Sequence, residues 1–388
     1  MNTVVYSTAK TGKWTDPLTW KEKIVPPSEV GILVNPKHTL TLDKDVFTCG
    51  IMINAGGTLL FDPKKNITLD NCENIMVEGR LVMKPSTSNK HNITFHEIDE
   101  STFKGADEDF HHEDVGLWVM NGGSVDLVGY AKTSYVNLLN FVLKGSTTIT
   151  LAKIPVAWKV GDRISIAPTG KNSEFEIRTI LTIKRNVITF SEPLEFDHNR
   201  VFNRYTSTYY TAEVLNLTRN VTIHGRGDGE ASPLTNQRSH IHIMSTSKSN
   251  ISHIHIRHMG PRKLEQQGTS KILGRYGLHF HRCGEVMRGS IIDGVVIEDC
   301  GSHSFVTHAT HGVTYRNCIT YNTFNCAYWW DLPPDNGTSP INNTNDILYD
   351  NCVSAYTRSD PSNKGYRLAS FMLGSGVGNS IRNCIAIG

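Results

Sequence analysis

Eight consecutive residues, Gly274-Arg275-Tyr276-Gly277-Leu278-His279-Phe280-His281, gather a guanidinium, a phenol and two imidazoles. His258 stands before this run, and His303, His308 and His311 follow it. Side chains alternate between the faces of a strand, so Leu278 and Phe280 point one way and His279 and His281 the other. Imidazole changes charge near neutral pH and ligates zinc, copper, iron and nickel. The pattern offers proton transfer, metal binding or both. The same alternation sets His240 and His242 opposite Ile241 and Ile243, and His253 and His255 opposite Ile254 and Ile256. His255, His279 and His303 recur every 24 residues, close to one coil of a solenoid. We expect a stripe of stacked His on one outer face, lengthened by His308. A purely structural alternative is a ladder of His and Asn bonding between coils.

The elements that must position these rings read as strands. Helical periodicity is nearly absent, whereas short alternating or β-branched runs such as Thr39-Leu40-Thr41-Leu42 and Val221-Thr222-Ile223 recur between Gly, Asn and Asp. Asp299-Cys300, Asn317-Cys318, Asn351-Cys352 and Asn383-Cys384 end similar strands at spacings of 18, 34 and 32 residues. The first spacing suits one coil of a parallel β-helix, and the longer ones suit coils carrying loops. With Asn71-Cys72, this repetition reads as buried free thiols in equivalent places, with some disulfides as the alternative. No Cys-x-x-Cys pair suggests a structural zinc site. Residues 145–212 read as a small antiparallel barrel or sandwich set between β-rich regions 1–144 and 213–388, with Asp162 a turn residue.

The chain has 388 residues and a formal net charge of +2 with both signs interspersed, which argues against a nucleic-acid protein held by phosphate contacts. Most of its 17 His lie after Phe190, so acid would make the C-terminal half cationic. No apolar run is long enough for a membrane helix, and the opening residues do not read as a signal peptide. We expect an extracellular or virion-associated protein. Because the chain ends just after a strand, we also expect the natural protein to continue or a partner to cover that end. The Asn-x-Ser/Thr triplets at Asn66, Asn92, Asn216, Asn220, Asn250, Asn336 and Asn342 read as solenoid turns.

Gly12-Lys13-Trp14-Thr15-Asp16-Pro17-Leu18-Thr19-Trp20, Val25-Pro26-Pro27 and Leu40-Thr41-Leu42-Asp43 resemble the eight-glycine domain. The similarity runs on through Gly116-Leu117-Trp118-Val119, Val160-Gly161-Asp162, His240, His258-Met259-Gly260, Arg275-Tyr276, His279-Phe280-His281 and His308. The ordered set resembles cell-surface and secreted hyaluronidases of the cell-migration-inducing hyaluronan-binding type, and fibrocystin-like proteins. It implies an all-β, right-handed parallel β-helix with the eight-glycine region at its N-terminal end. Where the family has an activity, that activity is depolymerisation of hyaluronan. The relatives carry Gly-His before the cysteine matching Cys326 and Glu-Asp-Gly after it. Here Phe324-Asn325 and Trp330-Asp331-Leu332 stand instead, and His303 replaces an Arg.

An acidic polysaccharide, hyaluronan or a related glycosaminoglycan, is the substrate this resemblance implies. In a lyase, Arg275 would face the uronate carboxylate, His279 or His281 would take the adjacent proton, and Tyr276 would protonate the leaving oxygen unless it packs as a core aromatic. A hydrolase needs two carboxylates, and Asp331 with Glu298 or Asp299 is the candidate pair, although Asp299 shares the repeat position of Asn317 and Asn351. His308 joins the catalytic set. Tyr276, His258, His303, Trp329 and Trp330 are candidate sugar contacts. His240, His255, His279 and His281 are candidate ligands of a divalent metal, zinc or calcium, with Asp331 completing the site. The competing reading is a non-catalytic carbohydrate-binding or structural β-helix, such as an adhesin or phage tail component. A homo-oligomer with substrate between chains is a third.

Overall fold

A computed structural model describes residues 4–105, 110–171, 173–226, 237–262, 272–329, 343–359, 368–374 and 376–388. Among them there is no α-helix, only three short 3-10 turns, and no helix is long and apolar enough to cross a membrane. Strands stack in parallel along three faces, which makes the all-β parallel β-helix expected from the sequence. One face is a ten-stranded sheet from Gly12–Lys13 to Ser380–Arg382. The other two are joined at Val46–Ile53, whose first half pairs with Ile67–Asn71 and whose second half pairs with Ile75–Val77.

Beyond that fork the two ladders run separately. The first continues through His91–Phe95, Val221–Gly225, His255–Arg257, Val296–Cys300, Ile319–Phe324, Val353–Arg358 and Ile385–Ile387. We call it the carboxylate ladder, for Glu298. The second, the imidazole ladder, continues through Leu117–Asn121, Ile241–Ser245, Leu278–Gly284, Phe305–Thr310 and Tyr328–Trp329. Strand alternation drives the stacking. Ile223, Ile256 and Ile297 on one ladder and Ile243, Phe280 and Phe305 on the other enter one continuous core. Each such side chain contributes about 1.5–3 kcal/mol when fully buried.

The register corrects the repeat read from the sequence. Ile319, Val353 and Ile385 are stacked partners, so Cys318, Cys352 and Cys384 do occupy one position. Cys300 does not, because it pairs with Thr323. The coil from Val296 to Ile319 is 23 residues long, not 18. Gly294, Asn317, Asn351 and Asn383 turn one corner with φ of 61°, 53°, 54° and 53°. Asn is among the few residues that tolerate this left-handed conformation. There Asn317 Nδ2 donates to Asp293 Oδ1 at 2.8 Å, and Asn351 Nδ2 to Asn317 Oδ1 at 2.7 Å. A Cβ at Gly294 would lie 2.2 Å from the His253 ring, so this coil uses glycine. Asp299 belongs to a different left-handed bend, in register with Asn322, which donates to it. Cys72 also leaves the thiol set: it is disulfide-bonded to Cys49, while the other six cysteines are free.

The antiparallel sheets run from Tyr135 to Asn216, starting before and ending after the 145–212 read from the sequence. The outer strands Tyr135–Asn137 and Glu213–Asn216 pair with each other, so the insertion enters and leaves side by side. It has its own core, including Val136, Ile149, Trp158, Ile164 and Phe190. It docks on the carboxylate ladder, where Leu215 and Leu217 meet Val296, Ile319 and Val353. Asp162 is the expected turn group, accepting from Lys132, the Lys159 N–H and Asn216.

Candidate active site: a buried imidazole cluster

On the imidazole ladder His242 is in register with His279, and His281 with His308. Inward-facing neighbours Ile243, Leu278, Phe280 and Phe305 anchor the strands in the core, which turns the four rings to the other side. His242 and His281 lie 5.1 Å apart by ring centroid, and His281 and His308 4.7 Å. His279 Nδ1 donates to the Gly274 carbonyl at 2.9 Å, which leaves Nε2 as the lone-pair nitrogen. That nitrogen faces His281 Nδ1 at 3.4 Å, and His281 Nδ1 faces His308 Nδ1 at 3.1 Å. One nitrogen from each of His279, His281 and His308 lies within 4.8 Å of the others, as a metal site requires. Among the described residues Leu273, Gly274, Tyr276 and Trp329 complete a cavity of about 50 Å³ around them.

Burial favours the neutral form of His242, His279 and His281. It holds His279 well below its ordinary value, with His242 and His281 adding to the effect. His281 is pushed down to about 3 by burial, then by His308 and Arg275. His242 is also well below, from burial and the same two kinds of neighbour, His281 and Arg275. At neutral pH His279 and His281 therefore present lone pairs rather than charge. The expected outward stripe is thus corrected in one respect: the rings lie only 0–9% exposed.

It is corrected in a second respect, because the stripe divides between ladders. His255 sits on the carboxylate ladder with Nε2 2.9 Å from Glu298, and cannot share a metal with His279. Its 24-residue spacing to His279 joins strands of different faces. His240 points elsewhere too, its Nε2 donating to the Asp114 carbonyl at 3.1 Å and its ring against Trp118. The ligand set drawn from the sequence loses His240 and His255 and gains His308. Three imidazoles suit zinc-class metals, whereas calcium takes oxygen ligands.

Arg275 is wholly buried, its Nε bonded to Asp114 Oδ2 at 2.7 Å and its guanidinium on the Trp118 ring. It braces the strand start instead of presenting a fork to a uronate. Tyr276, His303 and Trp329 form one aromatic wall: His303 stacks on Trp329 at 4.5 Å, and Tyr276 lies 5.0 Å from His279. His303 Nδ1 accepts from the Cys326 N–H, so that ring is fixed from within. His258 lies in the carboxylate ladder's bend, 3.9 Å from Asp299, with its pKa pushed down to about 3 by burial and by Arg257. Trp330 and Asp331 fall outside the described residues.

The proposed carboxylate partners are committed elsewhere. Arg163 of the insertion grips Glu298 with two hydrogen bonds of 3.0 and 2.9 Å. Burial opposes ionisation of Glu298, yet His255, Arg163 and Arg257 hold it well below the usual carboxylate range. Asp299 is raised by burial and by the Glu298 charge, and it bonds Arg257 and Asn322. Sequence reasoning missed the Gly274 carbonyl, whose one signal was a glycine, with φ of 80°, five residues before His279. It also missed Asp114, which no motif marked.

A profile of the G8 domain matches residues 19–140, and one of the CEMIP β-helix matches residues 237–331. A G8 domain-containing protein of Dictyostelium discoideum is 26% identical over 81% of this chain and 27% of its own length. A protein named cell surface hyaluronidase, from Danio rerio, is 26% identical over 53% of this chain and 16% of its own length. Human fibrocystin-L is 26% identical over 81% of this chain and 8% of its own length. Residues 19–140 thus match a G8 domain and residues 237–331 a CEMIP β-helix, the two regions that the motifs resemble. The chain spans less than a third of the length of these relatives. A tailspike protein of Pseudomonas phage LKA1 aligns over 92% of this chain and 55% of its own, at 11% identity and a TM-score of 0.21, too low to argue from.

Proposed function

We propose that this protein cleaves an acidic polysaccharide, hyaluronan or a related glycosaminoglycan, outside the cell, at the His279–His281–His308 cluster. The observation that carries this reading is the convergence of three imidazole nitrogens within 4.8 Å beside an aromatic wall. Similarity to a cell surface hyaluronidase supports the substrate class and the location. Among the described residues no carboxylate lines the cavity, and Glu298 and Asp299 are clamped on another face. The donor set fits a zinc-class cation held by His279 Nε2, His281 Nδ1 and His308 Nδ1. Such a cation supplies Lewis-acid polarisation of an oxygen or of water. The Gly274 carbonyl fixes the His279 tautomer, as outer groups do for metal-bound imidazoles. Tyr276 and Trp329, both buried, line the cavity beside the imidazoles. Without a cation, neutral His281 would serve as a base for a uronate proton.

A non-catalytic carbohydrate-binding β-helix is the second reading. It is favoured by the cavity's size, about 50 Å³, which admits an ion or water but no sugar ring. The test is incubation with hyaluronan and chondroitin, with and without a chelator, following polymer size and the absorbance of unsaturated uronate. Shortening lost on chelation supports the metal site. Shortening with new absorbance, insensitive to chelator, makes His281 a lyase base. No shortening of either polymer overturns the enzyme reading in favour of binding.

A further inference from the structure

A second cleft, of about 220 Å³, opens where the insertion meets the solenoid. It shares no residue with the imidazole cavity. Two cations lie buried at its floor. Lys132 Nζ donates to Asp162 Oδ2 at 2.7 Å. Arg219 donates Nε to the Gly294 carbonyl and Nη1 to the carbonyls of Asn216 and Thr218, all neutral acceptors. Asp162 is the one carboxylate lining the cleft, and Lys159 and Lys90 add two more cations at its rim. Burial lowers the Lys132 pKa, and lowers that of Arg219 to about 10. Asp162 and Asp293 answer the two buried charges, whereas Lys159 and Lys90 bring two further cations to a cleft lined by a single carboxylate. An entering anion would correct that imbalance.

The wall is suited to a sugar. Tyr130 is 41% exposed, with the Lys159 ammonium 5.5 Å from its ring centre. An aromatic face covers the C–H face of a pyranose while a neighbouring ammonium meets a charged substituent. The volume falls below the roughly 300–1,000 Å³ of sites for drug-sized ligands, and suits a single sugar unit. We propose that this cleft is a separate carbohydrate subsite for an anionic sugar, a uronate or a sulfated unit. Lys159 and Lys132 face the anion and Tyr130 stacks on the ring. The inference borrows the acidic-polysaccharide reading only for its probes.

Calorimetric titration of the intact protein, repeated in His281→Ala to remove turnover, tests it. The probes are hexasaccharides of hyaluronan (carboxylates only), chondroitin sulfate (carboxylates and sulfates) and chitin (neutral). The acidic probes should bind and the neutral one should not, and binding should weaken with salt. Lys159→Glu should weaken binding roughly tenfold, and Tyr130→Ala several-fold, as for contacts at a partly exposed charged site. Both side chains are exposed, so the fold should survive, and circular dichroism checks this. A preference for the sulfated probe makes sulfate the anion, and equal binding makes it the uronate; either supports the subsite. Unchanged affinity in both variants, or equally tight chitin binding, overturns it. Lys159-dependent binding without polysaccharide cleavage would sink the proposed function and leave the subsite standing. Cleavage with Lys159-independent binding would do the reverse.

Discussion

The two ladders carry similar sequences and opposite chemistry. His255-Ile256-Arg257 and Leu278-His279-Phe280-His281 both alternate polar and apolar residues on neighbouring strands of one solenoid. On the carboxylate ladder, carboxylates meet cations and donors: Glu298 meets Arg163 and lies 2.9 Å from His255, and Asp299 meets Arg257. The insertion covers that face and fixes the network. On the imidazole ladder, rings meet rings, at 3.1–3.4 Å between nitrogens, around a cavity. A His-x-His strand therefore acquires structural or chemical meaning from what the next coil places opposite it. Ionic networks of the first kind fasten parts together. Lone pairs gathered in the second kind face one another without a counter-charge among the cavity-lining residues described.

The largest effect expected is on the imidazole ladder. His281→Ala should abolish product formation, by at least about a hundredfold, the scale of a lost acid–base or ligand group. Activity is taken per folded molecule, with folding checked by circular dichroism, because removing a buried ring also costs packing. Zinc should raise the thermal midpoint of the wild type but not of this variant. A variant that retains activity would place the chemistry elsewhere and remove the contrast.

Next comes Glu298→Ala. Removing one partner of a buried ion pair costs about 3–5 kcal/mol, read as a lower urea midpoint. Activity per folded molecule should remain, because Glu298 does not line the imidazole cavity. Lost activity in fully folded protein would join the two faces functionally.

Acid should separate the ladders. His281, lowered to about 3, stays neutral while the unfolded ring protonates below its ordinary 6.5. Its contribution is present above pH 6.5 and is lost as pH falls toward 3, at up to about 1.4 kcal/mol per pH unit. Glu298 is also lowered, but from 4.5, so its contribution is full above that pH and fades only below it. Denaturation measured from pH 7 to 3 should show a shallower upper slope in His281→Phe, because one of several buried neutral rings is gone, and a shallower lower slope in Glu298→Gln. The same slopes in both variants would contradict these assignments. The smallest effect belongs to the corner shared by the coils. Asn351→Ala loses two hydrogen bonds, to Asn317 and from Tyr135, and strains a left-handed residue, for about 1–2 kcal/mol, whereas Asn351→Gly should cost less.

Local pattern was enough for much of this protein. Two-residue alternation around Leu278 and Phe280 set which side chains enter the core, because a pleated strand leaves no other choice. The corners at Asn317 and Asn351 were legible only as a repeated Asn-Cys turn pattern, and the structure adds that Asn stands there because few residues tolerate the left-handed conformation. The ordered motifs from Trp14 to His308 pointed to the G8 and β-helix regions that the profiles match. Register was not legible. Coils of 23, 34 and 32 residues differ through their loops, so counting along the chain put His255 beside His279 and Asp299 beside Asn317. Stacking alone decided that His308 faces His281, that Cys72 meets Cys49 and that Glu298 receives Arg163 from 135 residues away. Sequence sets the face on which a side chain stands, since that depends on its own backbone. Tertiary structure sets what stands opposite, since that depends on how much chain each coil spends before returning.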